Sequence, residues 1–164
     1  MKITQAAFNV LVANPFAWRA DWAWGLPLIV LNVVVHVVGL GLVSRRAVAL
    51  TMMARRRPVA VFVAVTGATT LFATCLHGIE GGIWAAAYWI LGAFPDFRSS
   101  MLYSLNAITS YGHTNLSLED HWQLLGSLEA LNGWLLFGLT TAFLFAVIQK
   151  AWLLGSKGVE ENKM

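Results

Sequence analysis

The sequence predicts an all-α integral membrane protein. Three helices cross the bilayer, and a shorter helix with its loop dips in and returns between the second and third. Three observations carry this. Of the 164 residues, 58% are A, V, I, L, M, F, W, Y or C and only 12% are charged, against about 45–50% and about 25% in soluble domains. Three apolar runs are long enough to span. Between the last two lies an apolar piece half that length, followed by a polar, glycine-containing segment. This composition excludes a disordered chain, a coiled coil and an ordinary soluble enzyme. The net charge of +3 is too small, and its arginines too localised, for a nucleic-acid partner. The single Cys75 sits in an apolar run, so neither a disulfide framework nor a cysteine metal site is expected. Eight Trp in so short a chain suit a protein with two membrane–water interfaces.

The first span is expected over 26–43, apolar except for Asn32 and His36, near the ~20 residues a crossing helix needs. The second runs over 58–94, opening at Pro58, whose missing N–H costs nothing in a first turn. The third runs over 122–154. At 1.5 Å per residue the two later runs reach roughly 45–50 Å, so they tilt or project beyond the lipid. Residues 44–57 hold Arg45, Arg46, Arg55, Arg56 and Arg57 and no acid. The positive-inside rule makes this a cytoplasmic basic loop, which puts the N-terminus outside and the C-terminus inside. Residues 1–25 carry an apolar stripe (Ile3, Ala6, Ala7, Val10, Leu11) and then Trp18, Trp22 and Trp24, the pattern of an interfacial segment with an aromatic anchor. The tail 155–164 is expected to be loose.

The short apolar piece is Phe97 to Ile108, about 18 Å as a helix and too short to cross. Pro95-Asp96 is a suitable start, with Asp96 placed to cap free N–H groups. The next residues, T-S-Y-G-H-T-N over 109–115, are polar. A half-length helix followed by irregular backbone is tolerated at membrane depth only inside protein or beside a water-filled cavity. One chain of this size cannot supply that surrounding, so an oligomer with its loops meeting at an axis is expected. The negative end of the short helix would favour a cation there. Carbonyls of the return segment would replace water ligands, and Glu119 and Asp120 at the outer mouth would raise the local cation concentration.

The order span, short helix, loop, span resembles the pore domain of the potassium-channel superfamily. T-S-Y-G-H-T-N resembles that family's filter T-T-V-G-Y-G-D. Thr109 and Ser110 take the threonines, Tyr111 the valine, Gly112 the first glycine, His113 the tyrosine, Thr114 the second glycine and Asn115 the aspartate. Leu102-Tyr103-Ser104-Leu105 resembles the pore-helix pattern. G-W-L-L-F-G-L-T-T-A in the third run is similar to the inner helix of simple bacterial potassium channels. H-G-I-E-G-G-I-W resembles a small bacterial branch of ion channels. The resemblance covers about residues 59–150. It implies a homotetramer in a bacterial inner membrane with a pore helix at 97–108, a filter at 109–115, and no cofactor beyond a permeant monovalent cation, K⁺ or Na⁺. It also implies a hinge at Gly133 and a cavity-lining Thr141. Phe145, four residues on, shares the face of Thr141 and either forms an apolar constriction, which gates by dewetting, or faces lipid. Membrane lipids are the remaining expected partners, and a regulatory subunit outside this chain stays open. Thr114 stands where a glycine backbone is needed, and a β-branched residue at positive φ is an outlier. The expectation is therefore altered or weak K⁺ selectivity.

Several further positions invite a structural or a functional reading. His113 either bonds outward as a neutral imidazole or forms a ring near the axis, titrating near pH 6.5. His77 and Glu80 share a helical face. They read as a pair holding the second helix to its neighbour, since a metal needs more ligands than two and periodicity does not place His36 nearby. Glu129 either braces the loop behind the filter or bonds another helix through Asn132 or Ser127, because a lone intramembrane carboxylate needs a partner. Gly78 and Gly82 form a small-xxx-small pair suited to close packing. Three functions compete: a tetrameric cation channel; a non-conducting scaffold or accessory subunit that keeps the pore fold; and a membrane oxidoreductase or metalloenzyme using the histidines with Glu80 and Glu129. No nucleophile constellation, phosphate loop or cofactor fingerprint supports the third, so an enzyme is not expected.

Overall fold

The structure, a computed structural model, describes residues 18–53, 58–112 and 116–161. Within them the secondary structure is helical, without strands. Helix α1 is Arg19–Met53, α2 is Pro58–Ile90, α3 is Phe97–Ile108 and α4 is Gln123–Glu161, preceded by a 3-10 turn at Asp120–Trp122. The segments Arg19–Ser44, Val59–Ile90 and Asp120–Lys150 are long and apolar enough to cross a membrane.

Several boundaries differ from the sequence reading. Helix α1 takes in Trp22 and Trp24, expected in the interfacial segment, and most of the expected basic loop. Ser44 to Met53 contains neither glycine nor proline and is rich in Arg, Ala, Leu and Met, which favour helix. The anchor stripe at 3–11 lies outside the described residues. Helix α2 stops at Ile90 instead of continuing to 94, because Gly92 adopts φ +69°. The Gly92 and Ala93 N–H groups turn back to the Trp89 and Tyr88 carbonyls. This closes the helix with a left-handed residue, as glycine permits. At the other end, α4 continues through most of the tail expected to be loose, to Glu161, since no proline interrupts it.

Backbone contacts divide the chain into two units. One holds the described part of Met1–Leu31 with Ile83–Gly133. Its core is Trp84, Tyr88, Phe94, Tyr103, Ile108, Leu118 and Leu125, all buried. Tyr103 meets Phe94 at 5.0 Å and Tyr88 edge-on at 5.2 Å between ring centroids. Asp21 of α1 is fully buried and accepts a 2.9 Å bond from the Leu125 N–H, one of the four N–H groups left open at the start of α4. The other unit holds Asn32–Gly82 and the described part of Trp134–Met164. Its core is Leu40, Ala73 and Leu76, with Val35 and Phe143 against them.

Close approach is concentrated at a few glycines. A Cβ on Gly133 would overlap the Ile108 carbonyl at the end of α3. The pair singled out from sequence, Gly78 and Gly82, faces nothing within 4 Å among the described residues, where it is not a packing contact. Gly133→Ala should therefore destabilise the protein by about 2–3 kcal/mol, an overpacking cost. Gly41→Ala, whose methyl would meet nothing within 4 Å, should leave stability equal or higher by up to about 1 kcal/mol. Thermal unfolding of the two variants in detergent checks the contrast.

Candidate functional site

Helix α3 is bounded at both ends by its own residues. Asp96 accepts from the Ser99 N–H at 2.9 Å and from the Ser99 hydroxyl at 2.8 Å, which is N-cap geometry. Those bonds, the backbone one first, hold the Asp96 carboxyl below its ordinary pKa. At the other end Ser110 sits at φ +54°. Its N–H bonds the Ala107 carbonyl at 2.9 Å, and the Tyr111 N–H bonds the Asn106 carbonyl at 3.0 Å. That pair of bonds is a Schellman closure with serine in the position usually held by glycine. The Thr109 hydroxyl donates to the Leu105 carbonyl at 2.6 Å. Thr109, Ser110, Tyr111 and Gly112 are all exposed, Tyr111 at 83%. His113, Thr114 and Asn115 lie outside the described residues.

The packing of α3 against α4 fixes a direction. The Ser104 hydroxyl donates to Glu129 Oε1, and the Tyr88 hydroxyl donates to Glu129 Oε2 at 2.8 Å. One turn further along α3, Ile108 lies against Gly133, one turn further along α4. The two helices thus run in the same sense. The chain between them must double back, and Leu118 does pack at Gly126, two turns back along α4, or about 10 Å at 1.5 Å per residue. Glu129 bonds α2 and α3 and neither of the partners expected, Asn132 or Ser127. The Ser127 hydroxyl bonds the Gln123 carbonyl in its own helix. The Asn132 amide is buried with no hydrogen bond among the described residues. Gly133 is a contact point for the end of α3.

The second unit holds a separate polar cluster. His36 Nδ1 lies 2.8 Å from Glu80 Oε1, and His77 Nδ1 lies 3.1 Å from Glu80 Oε2. The Thr140 hydroxyl lies 3.0 Å from His36 Nε2 and 3.1 Å from His77 Nε2. The Asn32 amide donates to the Glu80 backbone carbonyl at 3.4 Å. His36 and Glu80 are fully buried, and His77 is 31% exposed. His36, which sequence periodicity does not place nearby, therefore joins the His77–Glu80 pair. Periodicity along one helix says nothing about which face of another helix meets it. Thr141 and Phe145 are exposed on α4, and the Thr141 hydroxyl bonds the Phe137 carbonyl.

Sequence reasoning gives no role to Asp21, Tyr88, Ser104 or Thr140. A signal exists for the His36 face: Asn32 and His36, the two interruptions of the first apolar run, are one turn apart, and both reach Glu80. Asp21, a lone acid among tryptophans, is a second. Comparison with family models, curated proteins and solved structures finds no match to this chain.

Glu129 is buried and accepts from both hydroxyls, so its loss removes two buried hydrogen bonds at once. Glu129→Leu should cost about 2–5 kcal/mol, whereas Tyr88→Phe and Ser104→Ala should each cost about 1–3 kcal/mol. Because both act through one carboxyl, the double variant should be non-additive by about 0.5 kcal/mol or more. Denaturant unfolding of the wild type and the four variants measures this.

Proposed function

We propose that the chain is one subunit of a tetrameric cation channel with a potassium-channel-like pore and altered or weak K⁺ selectivity. The observation that carries this reading is the doubling back between α3 and α4. Two helices of like direction, joined by a segment that retraces about 10 Å at 1.5 Å per residue, make a hairpin dip beside a crossing helix. By the positive-inside rule, Arg45, Arg46 and Arg55 to Arg57 favour an inside location for the α1–α2 connection. In this reading α3 enters from outside and its C-terminal end points to mid-membrane. Ser110 and Tyr111 use their N–H groups on α3, so this backbone offers a cation oxygen, the ligand such paths need. The Thr109 hydroxyl donates inward and keeps its lone pairs for an ion.

What one chain leaves uncovered supports oligomerisation. Leu102 is 54% exposed on α3, and residues 109–112 are exposed together. Irregular backbone of this kind belongs in the membrane only against protein or water, and neighbouring copies provide both. In this reading Gly133 holds the end of α3, while Thr141 and Phe145 line the water-filled path. The alternative, a non-conducting scaffold, draws on Thr114 standing in the second glycine's position, where a β-branched side chain resists positive φ.

Flux into liposomes containing the purified protein separates the two. The channel predicts passage of both K⁺ and Na⁺ within about tenfold of each other, as expected of a filter with fewer ordered carbonyl sites. Thr109→Cys in a Cys75→Ala background should be blocked by a water-soluble thiol reagent. Absence of flux at every voltage, at both about pH 5 and about pH 8 where His113 would change charge, overturns the channel and leaves the scaffold.

A further inference from the structure

We propose that His36, His77 and Glu80 form a binding site for one divalent transition-metal ion of the zinc class, with Thr140 as its outer partner. The site belongs to α1, α2 and α4 and does not depend on the channel reading. One ligand atom from each of the three residues lies within 4.8 Å of the others. Two imidazole nitrogens and a carboxylate are a donor set for zinc-like ions, unlike the all-oxygen shells of Mg²⁺ and Ca²⁺.

The hydrogen-bond pattern leaves one carboxylate oxygen of the cluster without a donor. Glu80 Oε2 is buried and has no aligned hydrogen-bond donor, although His77 Nδ1 is only 3.1 Å away. Consider two neutral imidazoles. His36 gives its Nδ1–H to Glu80 Oε1, so its Nε2 accepts the single hydrogen of the Thr140 hydroxyl. His77 must then give its Nε2–H to the Thr140 oxygen. That leaves the His77 Nδ1 lone pair facing the lone pairs of Glu80 Oε2, two buried acceptors with nothing between them. An ion held by both Nδ1 atoms and the carboxylate removes the opposition. Each ring then carries its hydrogen on Nε2, and both point at Thr140 Oγ1, whose two lone pairs accept them. A ligating histidine that donates its other N–H to a fixed acceptor is the usual outer-shell arrangement. The carboxylate also gains a counter-charge, without which it is costly within a membrane-spanning helix. Partly exposed His77 is the side by which the ion enters. With three side chains from two helices and an outer partner on a third, the ion acts as a clamp.

The test is a titration of the purified full-length protein in detergent with Zn²⁺ alone, followed by metal analysis after gel filtration. The wild type should retain one ion per chain. His77→Gln, at the most accessible position, should abolish retention while eluting as the folded protein. Thr140→Val should weaken binding by about 10- to 100-fold, the usual cost of losing an outer-shell partner. Cys75→Ala should bind as the wild type does. If the wild type elutes folded and retains no Zn²⁺, a proton alone serves the cluster and the proposal is wrong. Retention undiminished in both His77→Gln and Glu80→Gln puts the ion elsewhere and likewise overturns the proposal.

Discussion

The contact on which the rest of the first unit depends is the carboxylate of Glu129. It lies in an apolar helix, fully buried, where an unpartnered charge or acid is expensive. Two hydroxyls from two other helices meet its two oxygens. That requirement selects the register of α3 on α4. Once Ser104 is opposite Glu129, Ile108 falls opposite Gly133, the position where the absence of a side chain lets a backbone carbonyl approach. Like direction of the two helices follows, and so does the retracing segment that exposes 109–112. The polar interaction sets position and the glycine permits distance; neither would suffice alone.

The same logic recurs wherever a polar residue interrupts the apolar helices. Asp21 is buried against a free N–H at the start of α4, where the positive end of a helix dipole favours an acid. Glu80 is buried against two imidazoles. Every carboxylate buried among the described residues bonds a different helix from its own. In a lipid bilayer, where apolar surface gains little from association, such contacts and close glycine packing would carry the association of helices. The exposed apolar residues along all three long helices, such as Val30, Val63 and Phe137, are what a lipid or a neighbouring copy would cover.

Much of the helix content is legible in the sequence because apolar run length and proline and glycine punctuation are local properties. Pro58 opens α2, and Asp96 caps α3. Some ends mislead for an equally local reason. The basic stretch after Val43 reads as a loop because of its charge, although Arg, Ala and Leu favour helix and nothing there breaks it. Partnerships are far less legible. The Glu129–Tyr88–Ser104 contact joins three helices, and the His36–Glu80 contact joins residues 44 apart; no periodicity within one helix encodes which face it presents to another. The need for a partner is visible in each buried acid, and its identity is not.

An electron cryo-microscopy map of the protein in lipid nanodiscs bears most directly on the proposed hairpin dip beside Glu129. The expected map has copies around a common axis, α3 beside α4 with Ser104 at Glu129, and the backbone of 109–112 turned toward that axis. A single copy, or α3 lying flat on the membrane surface away from α4 with 97–112 far from any axis, would contradict it.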